Sequence, residues 1–402
     1  MENVFINQLG RTALEDQPLE ICERKGLGHP DTICDSVMNE ISIQLSKEYL
    51  NRFGAVLHHN VDKSLLAAGK SIPAFNGGKI VEPMRFVFGD RATFEAGEEE
   101  INVNQIAERS ASNWFKRNFR FINPEIHVTY QSQIRPGSIA LKDIFDRKGD
   151  YLGANDTSAA VGYAPFSRTE KIILDLEKFL NSKEFKREYP ESGEDIKLMG
   201  LRKKDSLHIT IAMAIIDRFI ENESDYFRKR DSIFNSIQEF VDERHDFKKV
   251  TFDLNALDTH GRGIDGLYLT VTGTSAEAGD SGQVGRGNNV AGVIPLNRPM
   301  SSEAAAGKNP VSHVGKIYNA LSYRIADSVI EGVNGIKEVY VWLLSTIGVP
   351  INQPTIVSAQ IIPEKETKVD SVIKEIDEIV QREFQNLDEF IDDLAKGKID
   401  LC

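Results

Sequence analysis

The stretch ERKGLGHPDTICDSV, from Glu23 to Val37, places two glycines, a histidine, a proline and an acid immediately before a segment of helical period. From Ile33 to Tyr49 an apolar residue recurs at every fourth position, which lines one face of a helix, and Gly54 marks its end. Pro30 suits the first helical position because the N–H that it lacks would be unpaired there. The stretch predicts a glycine-rich loop that leads into a long amphipathic helix.

Two further segments start in a similar way. GYAP at 162–165 precedes an apolar stripe from Ile173 to Leu180, and the segment Ser167-x-x-Glu170 between them has the spacing of a capping box. GKNP at 307–310 precedes a second stripe, from Val314 to Val329. Three such starts indicate a threefold internal repeat of one sheet-plus-helix unit.

Alternating polar and apolar residues at 125–130, 208–213 and 267–272 are typical of strands with one buried face. A chain of 402 residues predicts roughly two to four domains. No low-complexity linker separates them, so we expect domains that pack tightly and are discontinuous in sequence. The fold class predicted is α/β of the α+β type, with three similar sheet-plus-helix domains related by pseudo-threefold symmetry.

The composition is that of a globular protein, with 41% hydrophobic and 27% charged residues. A net charge of −13 argues against nucleic acid or an anionic membrane as a partner, because both attract basic surfaces. Cys22, Cys34 and Cys402 form no CxxC pair, so neither a disulfide framework nor a thiolate zinc site is indicated. The amino-terminal residues show no signal pattern, and the apolar run Ile209–Ile216 is too short to span a bilayer. We expect a cytoplasmic protein.

The segment GLGHPD at 26–31 has the features of a phosphate site. A helix amino terminus offers unpaired N–H groups and the positive end of the dipole, and glycines let an anion approach the backbone closely. His29 could hydrogen-bond an oxygen that gains charge, and Asp31 could hold a divalent metal that bridges the same phosphates. The alternative is a plain turn in which Asp31 only favours the helix dipole.

A second glycine-rich segment, GDSGQVGRGNN at 279–289, surrounds Asp280 and Arg286 with four glycines. Its backbone amides could wrap a ligand, Arg286 offers a planar fork for phosphate, and Asp280 offers a ligand for a metal or a substrate amine. The alternative is a flexible hairpin loop, which glycine clusters also mark.

A third segment, AAAGKNPVSHVGK at 304–316, places Lys308 beside a glycine just before a helix. It is not a Walker P-loop, because Ser302 stands where that pattern needs a glycine. AGKS at 68–71 fails in the same way, with Ser64 in the required place. No G-x-G-x-x-G follows a strand, so a dinucleotide fold is not indicated.

Two weaker signals remain. Lys197 lies between acids in GEDIKLMGLR at 193–202, which by itself is more typical of a surface turn. His58 and His59 are adjacent, and adjacent residues of a strand point to opposite faces, so a structural role is favoured over a shared metal.

Five segments, in this order, resemble the S-adenosylmethionine synthetase family in its archaeal-type branch. They are GHPD at 28–31, NDTSAAVGYAP at 155–165, GEDIKLMGLR, GDSGQVGRGN and AGKNPVSHVGKIYN at 306–319, and the resemblance runs from about residue 20 to residue 360. It implies a methionine adenosyltransferase, in which the sulfur of L-methionine attacks the 5′ carbon of ATP. The expelled triphosphate is then hydrolysed to pyrophosphate and phosphate. Fixed cations, metal and amides would meet the charge of that leaving group.

The resemblance also implies site residues. His29 would contact the departing 5′ oxygen, Lys197 would touch ATP near the reacting centre, and Arg286 and Lys308 would neutralise the polyphosphate. Asp31 would bind Mg²⁺. The residues expected to contact ATP or methionine are Gly28, Gly137, Ser138, Asp156, Asp195, Asp280 and Ala304.

The cofactors implied are Mg²⁺, with two ions expected, and K⁺. The family implies a homodimer with active sites between subunits, or a dimer of dimers, each subunit containing three domains. We expect these to comprise 1–27 with 160–275, 28–135 with 276–312, and 136–159 with 313–402. The partners are the small substrates, with neither nucleic acid nor membrane.

The chain departs from the family pattern in the polyphosphate segments. Gly287 stands where the bacterial branch has a lysine after the arginine, and Ser312 replaces a second lysine. Lys316, one helical turn later, is the candidate to compensate for it.

Other departures concern the nucleotide and methionine contacts. RPGSIA at 135–140 places Pro136 in an expected glycine-rich loop and Ala140 where an acid is expected. Ala159 and Ala160 stand where the branch tends to have phenylalanine and glycine. Two alternatives therefore stay open. One is a non-catalytic, ATP-binding regulatory subunit, and the other is a transferase that prefers a methionine analogue.

Overall fold

The computed structural model describes residues 3–138 and 151–401, and this part of the chain contains three sheets of four or more strands with helices packed on them. The helices are α1 (Pro30–Phe53), α2 (Val103–Asn118), α3 (Arg168–Leu180), α4 (Lys183–Glu188), α5 (Glu223–Asp242), α6 (Val314–Gly332), α7 (Val369–Gln385) and α8 (Leu387–Lys396). The strands are β1 (Val4–Gln8), β2 (Leu19–Lys25), β3 (His59–Ala67), β4 (Lys70–Ile72), β5 (Lys79–Glu82), β6 (Met84–Ala92), β7 (Glu95–Ala96), β8 (Glu99–Glu100), β9 (Val128–Pro136), β10 (Ala159–Ala164), β11 (Ser192–Lys203), β12 (Ser206–Ile216), β13 (Lys249–Leu254), β14 (Leu269–Thr270), β15 (Gly282–Gln283), β16 (Ile294–Pro295), β17 (Ile336–Leu344) and β18 (Ile356–Pro363).

The first sheet has the strand order β15-β3-β6-β9. Strands β6 and β9 are parallel, and the other pairs are antiparallel. Helices α1 and α2 share one hydrophobic core with this sheet, in which Phe86 and Phe88 of β6 meet Phe115 and Trp114 of α2. Two small ribbons, β4-β5 and β7-β8, are attached at its margin.

The second sheet has the order β13-β12-β11-β2-β16, with the short β14 paired to β12. Its core contains the apolar face of α3 and that of α5, packed on alternate residues of β11 and β12. The third sheet has the order β1-β18-β17-β10 and shares its core with α6, α7 and α8. The mixed α/β class predicted from the sequence is confirmed, while the pseudo-threefold relation stays a prediction.

Sheet membership places three strands differently from the expected domain boundaries. The amino-terminal strand β1 pairs with β18, and β10 pairs with β17, so both lie in the third sheet rather than with 160–275. Both are outer strands whose partners lie far away in sequence, and local pattern carries no information on such pairings. The short strand β16 departs as well, because it pairs with β2 in the second sheet rather than with a strand of 28–135. Apart from these three strands, the division into three discontinuous units remains our proposal.

The three predicted helix starts each carry a side-chain cap. His29 caps α1, His313 caps α6, and Ser167 caps α3 in a reciprocal capping box with Glu170. Gly54 ends α1 in the left-handed conformation at φ 72°, as the sequence predicted. Glycine suits that position because it has no Cβ to oppose a positive φ.

The strand predictions succeed unevenly. The segment 208–213 lies inside β12, whereas β9 begins only at Val128 and only Leu269 and Thr270 of 267–272 pair in a sheet. The chain turns away at Gly273, whose φ of 91° breaks the extended conformation. Within residues 3–138 and 151–401, no helix combines the length and apolar character needed to cross a membrane.

Candidate active site

Three loops cross between the sheets, and they surround the same region. The loop 26–29 leads from β2 in the second sheet to α1 on the first. The segment 284–293 leads back, from the edge strand β15 of the first sheet to β16 of the second. The loop before α6 contacts the first sheet, because the Gly307 carbonyl accepts a hydrogen bond from the Val61 N–H at 2.9 Å.

The first loop is held tightly against β11. The N–H of Gly28 donates to the Glu194 carbonyl at 2.9 Å. A Cβ at Gly28 would lie 2.3 Å from the Asp195 nitrogen, so only glycine fits. The positions of His29 and Asp195 are therefore fixed relative to each other by backbone contact.

His29 is fixed in one tautomer. Its Nδ1 accepts a hydrogen bond from the Asp31 N–H at 3.2 Å, as the N-cap of α1. Burial lowers the pKa of His29 to about 4, opposed by Asp31 and reinforced by Lys25 and Lys197. The ring is therefore neutral near pH 7, and because Nδ1 accepts, Nε2 carries the proton.

Asp31 joins the first loop to the second. Its Oδ1 accepts the N–H of Gln283 at 2.9 Å, and its Oδ2 lies 2.8 Å from Lys25 Nζ. Lys25 also donates to the Arg286 carbonyl. Lys25 and Asp31 flank the loop 26–29, and together they hold the glycine-rich segment that carries Arg286.

These side chains line one cavity of about 420 Å³. Four of the predicted residues, His29, Lys197, Asp280 and Arg286, lie on its wall with the predicted metal ligand Asp31. Lys197 lies on β11 directly opposite Lys25 of β2, and its Nζ is 3.2 Å from Glu23. The interpretation of 193–202 as a surface turn is wrong, because this segment is a strand in the middle of a sheet.

Asp35 completes the support of the second loop. It lies one turn after Asp31 on α1, and its two oxygens accept the N–H groups of Gly285 at 2.7 Å and Gly287 at 3.0 Å. A Cβ at Gly287 would lie 2.2 Å from Asp35 Oδ2. This close approach gives a physical reason for glycine at 287, where the related branch has lysine.

A second cavity, of about 480 Å³, adjoins the first and shares Leu65 and Gln283 with it. Lys308 lies in its wall, with Nζ 2.6 Å from Asp62 and 3.0 Å from Glu303. Burial disfavours the charged form of Asp62, but Lys308 outweighs that effect and holds its pKa below the usual range. Ala304 lines this cavity as well.

A buried network anchors the Lys308 loop. The Ser42 hydroxyl lies 2.9 Å from both the Lys308 carbonyl and His59 Nε2, and the Asn309 side chain contacts His59 Nδ1 at 3.2 Å. His59 therefore has a structural environment, as the sequence favoured. Lys316 reaches Asn39 at 2.9 Å, is almost fully buried and lines neither cavity, so its predicted compensation for Ser312 has no support.

The remaining residues that were predicted to contact ATP or methionine do not line the two cavities. Asp195 accepts the N–H and hydroxyl of Ser275 at 2.8 and 2.6 Å, and burial raises its pKa to about 6 despite those bonds. Asp195 is not part of the cavity wall and instead packs against Gly28 of the first loop. Asp156 is exposed, and neither it nor Gly137 nor Ser138 lines the two cavities. Ala140 and Cys402 lie outside the described residues.

The sequence reasoning missed three residues that the site uses, Lys25, Asp35 and Asp62. Lys25 and Asp35 flank the GLGHPD motif, and the spacing of Asp31 and Asp35 by one helical turn was a signal that could have identified the second acid. Asp62 has no motif around it. Only its contact with Lys308, 246 positions later, reveals it.

The side chains of the site meet the needs of Mg²⁺ only together with a phosphate ligand. Within residues 3–138 and 151–401, no group of three or more His, Cys, Asp or Glu side chains is arranged to hold a metal. Mg²⁺ commonly binds one or two carboxylates together with substrate phosphates. Asp31 and Asp280 fit that requirement for an ion that arrives with a phosphate ligand, provided that Lys25 gives up its contact with Asp31.

Comparisons with known proteins show which proteins this chain is similar to. A family model described as S-adenosylmethionine synthetase (AdoMet synthetase) matches residues 2–398. A protein named S-adenosylmethionine synthase from Thermococcus onnurineus is 46% identical over 98% of this chain and 96% of its own. One from Methanothermobacter thermautotrophicus is 40% identical over 99% of each chain, and a probable S-adenosylmethionine synthase from Aquifex aeolicus is 44% identical over 97% of each.

Among solved structures, an unusual S-adenosylmethionine synthetase from Campylobacter jejuni matches with a TM-score of 0.59. The match covers 96% of this chain and 95% of that one, at 15% sequence identity. At that identity the likeness concerns the fold.

Proposed function

This chain belongs to the S-adenosylmethionine synthetase family, in its archaeal-type branch, and is a methionine adenosyltransferase; from that premise we propose how its residues perform the transfer. The methionine sulfur forms a bond to the 5′ carbon of ATP while the bond from that carbon to the 5′ oxygen breaks. The triphosphate leaves with the electron pair, and water then hydrolyses it to pyrophosphate and phosphate. The observation that carries the proposal is the convergence of His29, Lys197, Asp280 and Arg286 on one cavity.

His29 acts on the leaving oxygen. Its Nδ1 is occupied by the Asp31 N–H, so the Nε2–H is the donor available to an oxygen that gains negative charge. The ring is neutral at physiological pH, so it acts as a hydrogen-bond donor through Nε2–H and does not transfer a proton. The close packing of Gly28 on Asp195 preorganises this donor.

The polyphosphate extends from the first cavity into the second. Lys25, Lys197 and Arg286 supply positive charge around the first cavity, and Lys308 supplies it in the second. Lys308 is paired with Asp62 and Glu303, so a phosphate oxygen replaces at least one of these contacts when ATP binds. Fixed charges of this kind stabilise a departing polyanion without reorganising during the reaction.

Mg²⁺ is proposed to bind Asp31, with Asp280 as the second carboxylate in reach of the same cavity. The ion, when bound, neutralises charge on the phosphate oxygens. We propose a second Mg²⁺ and a K⁺ ion from the family resemblance, without assigning their ligands. Lys25 moves from Asp31 to the phosphates in this scheme, which keeps the local charge balanced.

We propose that Asp156, Gly137 and Ser138 serve the active site of a neighbouring copy. None of them lines the cavities of its own chain, and Asp156 and Ser138 are exposed. A homodimer with shared active sites, or a dimer of two such dimers, would use them. We also propose a cytoplasmic location, supported by the buried, unpaired thiols of Cys22 and Cys34.

The reaction is tested with purified protein, ATP, L-methionine, Mg²⁺ and K⁺, followed by chromatography and mass spectrometry. Equal amounts of S-adenosylmethionine, pyrophosphate and phosphate are expected. Omission of Mg²⁺ or K⁺, one at a time, tests each ion.

The two alternatives are decided in the same assay. ATP binding without product would indicate the regulatory subunit, which no observation in the structure favours. A faster reaction with S-ethyl or S-propyl homocysteine than with methionine would indicate the analogue-specific transferase.

The shared active sites are tested by analytical ultracentrifugation and by mixing two inactive variants, Asp156→Ala and His29→Ala. Recovery of activity on mixing is expected only if the two residues serve one site from different subunits.

A further inference from the structure

Two lysines of the bacterial branch are missing from the polyphosphate segments of this chain. Gly287 and Ser312 stand in their places. Lys316, the candidate to compensate, is almost fully buried and lines neither cavity. The compensating charge therefore comes from another part of the chain.

Lys63, on β3, is a second cation in the wall of the second cavity. In the part of the chain that the structure describes, the other charged side chains of that wall are Lys308, Asp62 and Glu303. Without Lys63, two acids would face one lysine, and with Lys63 the four charges balance. An acidic wall would repel a polyphosphate, whereas a balanced wall does not.

A β-bulge turns Asp62 and Lys63 towards the same cavity. The pairing of β3 with β6 shifts register between Asn60 and Lys63. Val61 and Asp62 therefore lie opposite one residue, Asp90, whose φ of 89° is a left-handed conformation. Adjacent residues of a regular strand point to opposite faces, yet Asp62 and Lys63 both line the cavity and contact each other at 2.6 Å. Bulges next to active sites redirect side chains in this way.

The same bulge holds the loop that carries Lys308. The N–H of Val61 donates to the Gly307 carbonyl at 2.9 Å. A Cβ on Gly307 would lie 2.3 Å from the Val61 carbonyl oxygen, so glycine permits this approach. Lys308, the next residue, places its Nζ 2.6 Å from Asp62 Oδ2. One irregularity in β3 thus positions both lysines of the cavity.

Asp62 holds the two ammonium groups by different oxygens. Its Oδ1 lies 2.6 Å from Lys63 Nζ, and its Oδ2 lies 2.6 Å from Lys308 Nζ. The nearest oxygen of Asp90 is 3.9 Å from Lys63 Nζ, which is too far for a hydrogen bond. An ammonium group has three N–H donors, so Lys63 keeps donors for a phosphate while it stays bound to Asp62. Its side chain is 66% exposed and is therefore accessible to a ligand.

We propose that Lys63 binds the terminal phosphate of the polyphosphate and accelerates the hydrolysis of triphosphate, with Asp62 as its positioning residue. This inference rests on the proposed function, in which His29 contacts the 5′ oxygen in the first cavity. The two cavities meet at Leu65 and Gln283, so the phosphate farthest from the 5′ carbon lies in the second cavity. Lys63 is therefore remote from the bond that breaks in the transfer and close to the bond that breaks in the hydrolysis.

The hydrolysis breaks a bond between two phosphates. Water forms a bond to the terminal phosphorus, the bond from that phosphorus to the bridging oxygen breaks, and pyrophosphate leaves with the electron pair. One proton of the water stays on the phosphate formed, and the other passes to the pyrophosphate. Lys63 and Lys308 meet the negative charge that moves onto these oxygens, and fixed charges accelerate a step most where charge develops.

The test compares the two steps in the variant Lys63→Met. Transfer is measured as S-adenosylmethionine formed in a single turnover, with enzyme in excess over ATP. Hydrolysis is measured as phosphate released from added inorganic tripolyphosphate, and both assays contain Mg²⁺ and K⁺. Lys63→Arg keeps the positive charge. The matched control is Lys116→Met, because Lys116 is also exposed and pairs with an acid, Glu125 at 2.8 Å, but lines neither substrate cavity.

We expect Lys63→Met to slow tripolyphosphate hydrolysis by about 10²-fold, because it removes one fixed charge from the reacting phosphate. Transfer should change by only a few-fold, so triphosphate accumulates in the single turnover. Lys63→Arg should recover most of the hydrolysis, and Lys116→Met should match wild type in both steps.

Three results would overturn the inference. They are hydrolysis near the wild-type rate in Lys63→Met, an equal loss in both steps, and a wild type that hydrolyses no tripolyphosphate. Hydrolysis of added tripolyphosphate requires no methionine, so Lys63 is tested whether or not the wild type forms S-adenosylmethionine. Failure of the wild type to form that product would count against the proposed transfer mechanism instead.

Discussion

Helices α1 and α6 start in the same way and differ in what surrounds them. Each has glycine before it and proline at or before its first residue, and each is capped by a histidine whose Nδ1 accepts the N–H two residues later. The distances are 3.2 Å for His29 and 3.1 Å for His313. Burial lowers the pKa of both rings, to about 4 and about 3.

The two helices also resemble each other further along, because each carries a side chain that holds a loop six residues after its cap. Six residues after its cap, α1 carries Asp35, which holds the N–H groups of Gly285 and Gly287. Six residues after its cap, α6 carries Asn319, whose amide donates to the Glu303 carbonyl at 2.9 Å. Both side chains thus hold a loop of the active-site region.

The difference lies in the surroundings of the two rings. His29 lies in the wall of the first cavity with Lys197, Asp280 and Arg286, whereas His313 lines neither of the two substrate cavities. A local cap therefore fixes the tautomer and orientation of a histidine, but its neighbours in the fold decide whether the ring meets a substrate.

The largest expected effect is that of His29→Ala. Loss of the Nε2–H donor should reduce turnover by about 10²–10³-fold, because the loss of one preorganised hydrogen-bond donor to a developing oxyanion has an effect of this size. His29→Asn is the matched control, since asparagine keeps an N-cap acceptor while the ring is removed. Product formation by chromatography and urea unfolding are measured together. Turnover near that of wild type in His29→Asn would contradict the proposed role of the ring.

Lys308→Met comes next, because it tests the part of the α6 region that does face a cavity. We expect turnover to fall by about 10²-fold, and unfolding to become easier by about 2 kcal/mol, because the buried Asp62 loses its contact with Lys308 while its contacts with Lys63 and Asn60 remain. The double variant Lys308→Met with Asp62→Asn should regain stability but not activity. If activity returned with stability, Lys308 would have only a structural role.

His313→Ala is the direct counterpart of His29→Ala on the other helix. It removes a cap and should lower the free energy of unfolding by about 1 kcal/mol. Turnover should change by only a few-fold, through small displacements of Lys308. Steady-state kinetics and urea unfolding give both numbers. A loss of turnover as large as that of His29→Ala would remove the distinction between the two helices.

The last prediction concerns stability alone and is a pH dependence carried by Asp35. Burial raises the pKa of Asp35 from 3.8 to about 7, against the hydrogen bonds from Gly285 and Gly287. The native protein therefore keeps a proton that the unfolded chain releases. The contribution of this group to stability is complete below pH 3.8 and is lost as the pH rises through about 7.

Asp35→Asn places on α1 the residue type that α6 carries, and removes this titration. Between pH 4 and 7, the stability of wild type relative to the variant should fall with rising pH. The expected slope is on the order of 1 kcal/mol per pH unit. Urea unfolding at several pH values measures it, and a constant difference would show that Asp35 does not titrate in this range.

Much of the local structure could be predicted from the sequence. The starts of α1, α3 and α6 and the end of α1 at Gly54 follow from side chains within a few residues of each boundary. Apolar spacing also located β12. It misjudged α1 as a helix with one buried face, because polar residues such as Asp35, Ser42 and Ser46 are buried as well.

The candidate site was predicted in part. The sequence singled out His29, Asp31, Lys197, Asp280 and Arg286, and the fold brings all five to one cavity. Their catalytic roles stay predictions. Asp156, Gly137 and Ser138 were singled out too, but they lie elsewhere on this chain, and no pattern within one sequence distinguishes contacts inside a subunit from contacts between subunits.

By itself, the sequence determined the helix caps, the glycine-rich loops, the charge balance and the family, because these depend on short-range hydrogen bonding and on which side chains are present. Only the tertiary structure decided that Asp31 meets Gln283, 252 positions away, and that Asp62 meets Lys308, 246 positions away. It also decided which of two similar histidines faces a cavity. Such contacts depend on how three sheets pack against one another, and that packing depends on side chains from the whole chain at once.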